Sequence, residues 1–241
     1  MVLDSGKQQI LYDPVLLPSP VPEMFDPGYW ASQDCLEGSA SGRGTTYFVR
    51  HSDHIWTLRH YMRGGLVARI MNDLYWGFRP ECSRSFREWQ LLLELFRKGL
   101  PVPRPVAASV EQVGLLYRAD IIVEKIPKTD TLANRLKSAP QDDAVWEAVG
   151  VCVSKMHRLN CFHADLNAMN ILLDEEQRVY LIDFDRACFR RGGGWKERNL
   201  KRLHRSLTKL KRLHSDFSFN MRSWQAFLAG YYRTDSDSSD S

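Results

Sequence analysis

The spacing of hydrophobic positions changes character midway along the chain. Thr45-Thr46-Tyr47-Phe48-Val49 and Ile55-Trp56-Thr57-Leu58-Arg59-His60-Tyr61 are rich in β-branched and aromatic residues and predict strands. From about Ser85 to Lys98 the pattern predicts a helix, stopped by Gly99 and Pro101. Ile121-Ile122-Val123-Glu124-Lys125-Ile126 is a short, mostly apolar run suited to a buried strand. Beyond it Val145, Val149, Cys152, Met156 and Leu159 recur at spacings of four and three, the apolar face of an amphipathic helix. Two short strands, Ile171-Leu172-Leu173 and Val179-Tyr180-Leu181-Ile182, then flank a polar turn.

These elements predict an α+β fold in two lobes sharing a cleft. Residues 1–30, with the run Leu17-Pro18-Ser19-Pro20-Val21-Pro22, read as an extended arm with little structure of its own. Residues 31–124 read as an N-terminal lobe of antiparallel strands and one helix. Residues 125–233 read as a reduced, helical C-terminal lobe carrying the small hairpin. Residues 234–241, Ser and Asp apart from Thr234, read as a disordered tail.

Composition narrows the classes. The hydrophobic fraction of 44% and charged fraction of 26% are those of a globular protein. A net charge of +4 is too mild to indicate a nucleic-acid binder, and no obligate protein partner is evident. Five cysteines without a CxxC pair argue against a disulfide framework or a zinc site and fit a reducing compartment. The first residues lack a charged segment followed by an apolar stretch, and no apolar run approaches the ~20 residues that span a bilayer. The expectation is a cytosolic protein, or one resting on a membrane face.

The candidate chemistry lies in His163-Ala164-Asp165-Leu166-Asn167-Ala168-Met169-Asn170, followed after the hairpin by Asp183-Phe184-Asp185. Phosphoryl transfer needs an acceptor hydroxyl held in line, a carboxylate to take its proton, and metal ions to neutralise the phosphates. Asp165, on a loop after a helix, is the expected base. Asn170, five residues on, and Asp183, at the end of the returning strand, are the expected oxygen ligands of Mg²⁺. His163 is expected to brace the loop against Asp183. The turn Gly38-Ser39-Ala40-Ser41-Gly42-Arg43-Gly44 offers backbone amides, at Gly42 and Gly44 above all, to the phosphates of ATP, although a Gly/Ser turn alone equally suits a plain hairpin. Kinases pair a strand lysine with a helix glutamate to align the α- and β-phosphates. Here no lysine occurs between Lys7 and Lys98, so Arg59 is the expected cation, ahead of Arg43 and Arg63. Glu88 is its expected partner, the alternative being a solvated helix residue. Glu124 and Ile126, in the connecting segment, complete the expected ATP-binding set.

With these motifs in place, the chain resembles the lipopolysaccharide-core kinases of Gram-negative bacteria, over about Trp30 to Tyr232. The likeness is carried by Gly42-Arg43-Gly44-Thr45-Thr46-Tyr47-Phe48, by Leu58-Arg59-His60-Tyr61-Met62-Arg63-Gly64-Gly65, and by Arg84-Ser85-Phe86. Further along come Gly99-Leu100-Pro101-Val102-Pro103, the loop at 163–170, Leu181-Ile182-Asp183-Phe184-Asp185, and Trp195-Lys196 with Asn199-Leu200. The resemblance implies a protein-kinase-like fold and an arginine where Arg59 stands. It also implies transfer of phosphate from ATP to the 4-hydroxyl of 3-deoxy-D-manno-octulosonic acid (Kdo) on a lipid A precursor, with Asp165 as proton acceptor, at the cytoplasmic face of the inner membrane.

The residues support parts of this by themselves. No Ala-Pro-Glu anchor follows Asp183, which disfavours a protein acceptor. Arginines at 59, 63, 69, 79, 84 and 87 gather in one stretch, and guanidinium forks suit the carboxylate and phosphates of such an acceptor. Arg63 and Arg84 are the candidate substrate-anion residues. Residues 196–213 carry eight Lys or Arg, with Leu200, Leu203, Leu207, Leu210 and Leu213 on one helical face. The leucines are expected in the core, and the basic face is expected to attract an anionic inner-membrane surface. Two alternatives stay open: a kinase for another sugar, such as a core heptose or an aminoglycoside-like compound, and a pseudokinase binding module.

Overall fold

The structure, a computed structural model, describes residues 1–41, 45–62, 73–76 and 79–233. It divides into two compact units, Met1–Glu94 with Pro103–Lys125, and Leu95–Val102 with Ile126–Ser241.

The first unit is built on an eight-stranded sheet in which every pairing is antiparallel. Its strands are β1 (Val2–Asp4), β2 (Gln8–Tyr12), β3 (Leu36–Ser41), β4 (Thr45–His51), β5 (His54–His60), β6 (Tyr75–Trp76), β7 (Pro105–Val113) and β8 (Leu116–Glu124). They lie in the order β1-β2-β7-β8-β5-β4-β3, with β6 beside β8. A short α1 (Pro27–Ala31) precedes β3, and α2 (Arg84–Arg97) follows β6. Ser83 caps α2 by accepting the Phe86 N–H at 3.2 Å. Its far end is closed by Gly99 at φ +72, with the Leu100 N–H on the Leu95 carbonyl at 3.0 Å.

Two expectations are corrected here. Residues 1–30 are no loose arm: β1 and β2 extend the sheet, and Leu17, Met24, Phe25 and Trp30 are buried with Val49, Trp56, Leu58 and Ile122 in one core. Trp30 also donates its indole N–H to the Met24 carbonyl at 2.7 Å. The prolines limit helix in this segment without preventing burial of the apolar residues between them. Likewise Gly38–Ser41, read as part of a turn, form the end of β3, because β4 supplies a ladder that the small residues do not obstruct. Gly42, Gly44, Arg63 and the tail at 234–241 lie outside the described residues.

The second unit is mainly helical. Its helices are α3 (Leu132–Ser138), α4 (Asp143–Arg158), α5 (Trp195–Leu213) and α6 (Met221–Arg233). Two small sheets accompany them. One joins β12 (Val179–Leu181), β11 (Ile171–Asp174) and β9 (Thr129–Thr131); the other joins β10 (Cys161–Phe162) to β13 (Cys188–Phe189). The α4 helix ends as Asn160 enters the left-handed region at φ 58, which turns the chain into β10. Leu203 and Leu207 of α5 are fully buried and Leu200 nearly so, whereas Leu213 is exposed. All five cysteines are thiols. Among the described residues, no helix is long and apolar enough to cross a membrane.

Candidate active site

In the second unit β10 delivers the chain into the loop at 163–170, and that loop is closed by its own side chains. His163 is fully buried; its Nε2–H donates to the Ile182 carbonyl at 2.9 Å while its Nδ1 accepts the Asp165 N–H at 3.2 Å. Only the neutral imidazole can do both. Burial pushes its pKa down, which keeps it in that form. The Asp165 carbonyl accepts from Asn167 Nδ2 at 3.0 Å and Asn170 Nδ2 at 2.9 Å. The backbone of Asp165 is thus pinned on both sides, and its carboxylate is left to act outward.

Asp183 follows the carbonyl that His163 holds, and its backbone sits in the left-handed region at φ 62, a conformation costly for a residue with a Cβ. The preceding residue is fixed a second time, the Ile182 N–H bonding the Asn170 carbonyl at 3.1 Å. Those two contacts tie the strand carrying Asp183 to the loop carrying Asp165 and Asn170. With Asn170 Nδ2 engaged on the loop, its side-chain oxygen remains as an acceptor. An amide oxygen and a carboxylate are hard donors of the kind that Mg²⁺ takes when phosphates and water complete its shell. Among the described residues no three His, Cys, Asp or Glu gather into a cage that would hold a metal alone.

The carboxylate of Asp165 meets a residue that sequence reasoning missed. Arg202, on α5, donates to Asp165 Oδ1 through Nη2 at 2.6 Å and Nε at 3.2 Å. Burial pushes the Asp165 pKa up, but the hydrogen bond and charge of Arg202, with help from Asn167, hold it below the usual carboxylate range. One turn earlier Asn199 anchors α5 to the loop. Its Nδ2 donates to the His163 carbonyl at 2.7 Å, and its Oδ1 lies 3.2 Å from His157 Nε2 and 3.3 Å from the His163 N–H. Spacing alone could not reveal a contact across 37 positions; the one signal was the run of cations along a single helix face. Elsewhere on that helix Glu197, Arg198, Leu200, Lys201, His204 and Arg205 line, with Trp224 of α6, a cavity of about 660 Å³.

In the first unit Arg59 and Glu88 come together. Nη2 of Arg59 lies 2.6 Å from Oε1 and 2.7 Å from Oε2 of Glu88. Glu88 is 5% exposed, so it is not a solvated helix residue. A carboxylate buried on the apolar face of α2 requires such partners. The Tyr61 hydroxyl donates to Oε2 as well, a second contact the sequence did not reveal. Arg84 donates to the Tyr75 hydroxyl at 2.6 Å and lies over the rings of Tyr61 and Tyr75. Glu124 ends β8, 3.2 Å from His54 Nδ1, and the Ile126 carbonyl accepts from the Thr129 hydroxyl.

A tied loop bearing Asp165 and Asn170, a hairpin ending at Asp183, and a sheet cation paired with a helix glutamate define a phosphotransferase of the kinase type. Comparison with known proteins narrows the class. Residues 28–231 match the Lipopolysaccharide kinase (Kdo/WaaP) family, and the chain belongs to it. It is 44% identical over 224 residues to the 3-deoxy-D-manno-octulosonic acid kinase of Photobacterium profundum, covering 93% of this chain and 94% of that one. To the enzymes of the same name from Vibrio vulnificus and Haemophilus influenzae it is 40% identical, over 94% and 88% of this chain and 95% and 90% of theirs. The chain is therefore a kinase, with ATP as its phosphoryl donor.

Proposed function

We propose that this protein transfers the γ-phosphate of ATP to the 4-hydroxyl of Kdo on a Kdo-bearing lipid A precursor, a step of lipopolysaccharide inner-core assembly. The observation that carries the reading is similarity to Kdo kinases along nearly the whole chain, with the loop and hairpin residues of the reaction all present.

Asp165 accepts the proton of the acceptor hydroxyl as its oxygen attacks the γ-phosphorus; the bond from that phosphorus to the bridging oxygen breaks, and ADP leaves. Asn170 and Asp183 would hold Mg²⁺, which would supply neutralisation of the phosphate charge. Arg59, fixed by Glu88, orients the α- and β-phosphates, and Gly42 and Gly44 are assigned to phosphate binding on their sequence pattern alone. Glu124 and Ile126 belong to the nucleotide's binding segment. Arg63 and Arg84 are assigned to anionic groups of the acceptor. The cavity beside α5, lined by Leu200 and Trp224 and by three cations against the single acid Glu197, favours an acceptor that is itself amphiphilic and anionic. An acceptor embedded in a bilayer also argues for attachment of the enzyme to the inner face of the inner membrane, through the basic face of α5.

The test is incubation of the purified protein with ATP, Mg²⁺ and the Kdo-bearing precursor, read by mass spectrometry for one added phosphate. Asp165→Ala is expected to lose roughly 10²–10⁴-fold in kcat, with the KM for ATP changed less than about threefold, because a base acts in the transition state and not on the bound nucleotide. Full turnover in that variant would remove Asp165 from the mechanism.

A further inference from the structure

We propose that Arg202 is the residue that recognises the acceptor's carboxylate, holding it beside Asp165 while that side chain takes the proton of the hydroxyl. The inference rests on the acceptor being a Kdo unit and deepens that reading.

Four observations converge. Arg202 places both of its bonds to Asp165 on one oxygen, Oδ1, and so leaves Oδ2 for the acceptor hydroxyl. A guanidinium has further N–H groups beyond those two, directed from the same plane, and a second carboxylate is their natural ligand. Both side chains are close to half exposed, at 45% and 41%, and an ion pair so open to water contributes little to stability. Its place at the base therefore calls for a functional explanation. The helix that carries Arg202 is anchored: Asn199, one turn away, fastens α5 to the His163 backbone, so the guanidinium extends from a fixed support.

The chemistry of the acceptor matches this arrangement. In Kdo a single methylene separates the ring carbon bearing the carboxylate from the one bearing the 4-hydroxyl. A cation bonded to one oxygen of the base is thus within reach of that carboxylate when the hydroxyl lies against the other oxygen. Arg198 and Arg205, four positions before and three after Arg202, share its helix face and are exposed, which keeps the local field positive for an arriving anion.

The experiment compares two acceptors, the Kdo-bearing precursor and the same molecule with the carboxylate converted to its primary amide, using full-length wild type, Arg202→Gln and Arg202→Lys. Amidation is expected to raise the wild-type acceptor KM by roughly 10- to 100-fold, the size of a lost charge-assisted hydrogen bond. Arg202→Gln is expected to raise KM for the natural acceptor by a similar factor, to leave the KM for ATP within about threefold, and to show no further penalty on amidation. Arg202→Lys should recover part of the discrimination, and should Arg202→Gln fail to fold, the amidation penalty in Arg202→Lys decides. An amidation penalty that survives undiminished in the variants would overturn the inference and assign Arg202 to Asp165 alone. Wild type inactive on both acceptors would overturn the acceptor assignment, and this inference with it.

Discussion

His157 shows how one residue couples the catalytic loop to the stability of its unit. It is 1% exposed, lies 2.8 Å from the Tyr231 hydroxyl through Nδ1, and reaches Asn199 through Nε2. Burial drives its pKa down from 6.5 to about 4. Above pH 6.5 both folded and unfolded forms carry it neutral, and it has no effect on the pH dependence. As pH falls from 6.5 towards 4 the unfolded chain takes up a proton that the folded one refuses, so stability is lost, by roughly 3 kcal/mol across the window. His163, shifted in the same direction, adds to the loss. Urea midpoints at pH 7.5 and pH 5 should therefore drop steeply in wild type and less in His157→Gln; equal drops would dissociate the acid sensitivity from this residue. Asp165, Asn170 and Asp183 were legible in the sequence because fixed spacing along one loop and one hairpin is itself the signal. Arg202 and Tyr61 were not, since each meets its partner through folding and no local pattern marks the meeting.

Among the elements, α4 and α6 cross at two glycines. A Cβ on Gly230 would lie 2.1 Å from the Glu147 carbonyl oxygen, and one on Gly150 would lie 2.1 Å from that of Phe227. The obstacle is backbone in both cases, so the helices would have to part. Alanine favours a helix by about 1 kcal/mol over glycine, but overpacking of this kind costs on the order of 1–3 kcal/mol or more. The second effect wins, and Gly230→Ala should lower the urea midpoint. The exposed Ala229→Gly should also lower it, by about 1 kcal/mol through propensity alone. A stabilised Gly230→Ala would mean that the crossing is looser than described. The periodic pattern identified α2, α4 and α5 and the strands β4, β5, β11 and β12 within a few residues, and caught only the C-terminal end of β8, which begins at Leu116 and not at Ile121. The strands β1, β2 and β7 and the helices α3 and α6 are among the elements that escaped it; in β2 only Ile10 and Leu11 are buried, where the strand lies along β7, and so short an apolar stretch carries no period of its own.

For the molecule as a whole, a modest excess of positive charge is concentrated unevenly. The α5 helix carries eight Lys or Arg against the single acid Glu197. Its cations are mostly exposed, and Leu213 at its end is exposed too, as is Met221 at the start of α6. Each cation near an anionic bilayer contributes about 1 kcal/mol, attenuated by salt. Flotation should accordingly carry the protein with anionic liposomes and release it as salt rises; indifference to lipid charge would end the proposal of membrane attachment. The sequence by itself determined the reaction class, the loop and hairpin residues, and the helices with a clear apolar stripe, because those are local properties of spacing and chemistry. Tertiary structure alone decided that Leu17, Met24, Phe25 and Trp30 of the proline-rich N-terminal segment are buried core, that Glu88 is desolvated and needs both Arg59 and Tyr61, and that a basic helix presents Arg202 to Asp165. Each of these depends on which surfaces lose water together, and that is settled only when distant segments of the chain pack.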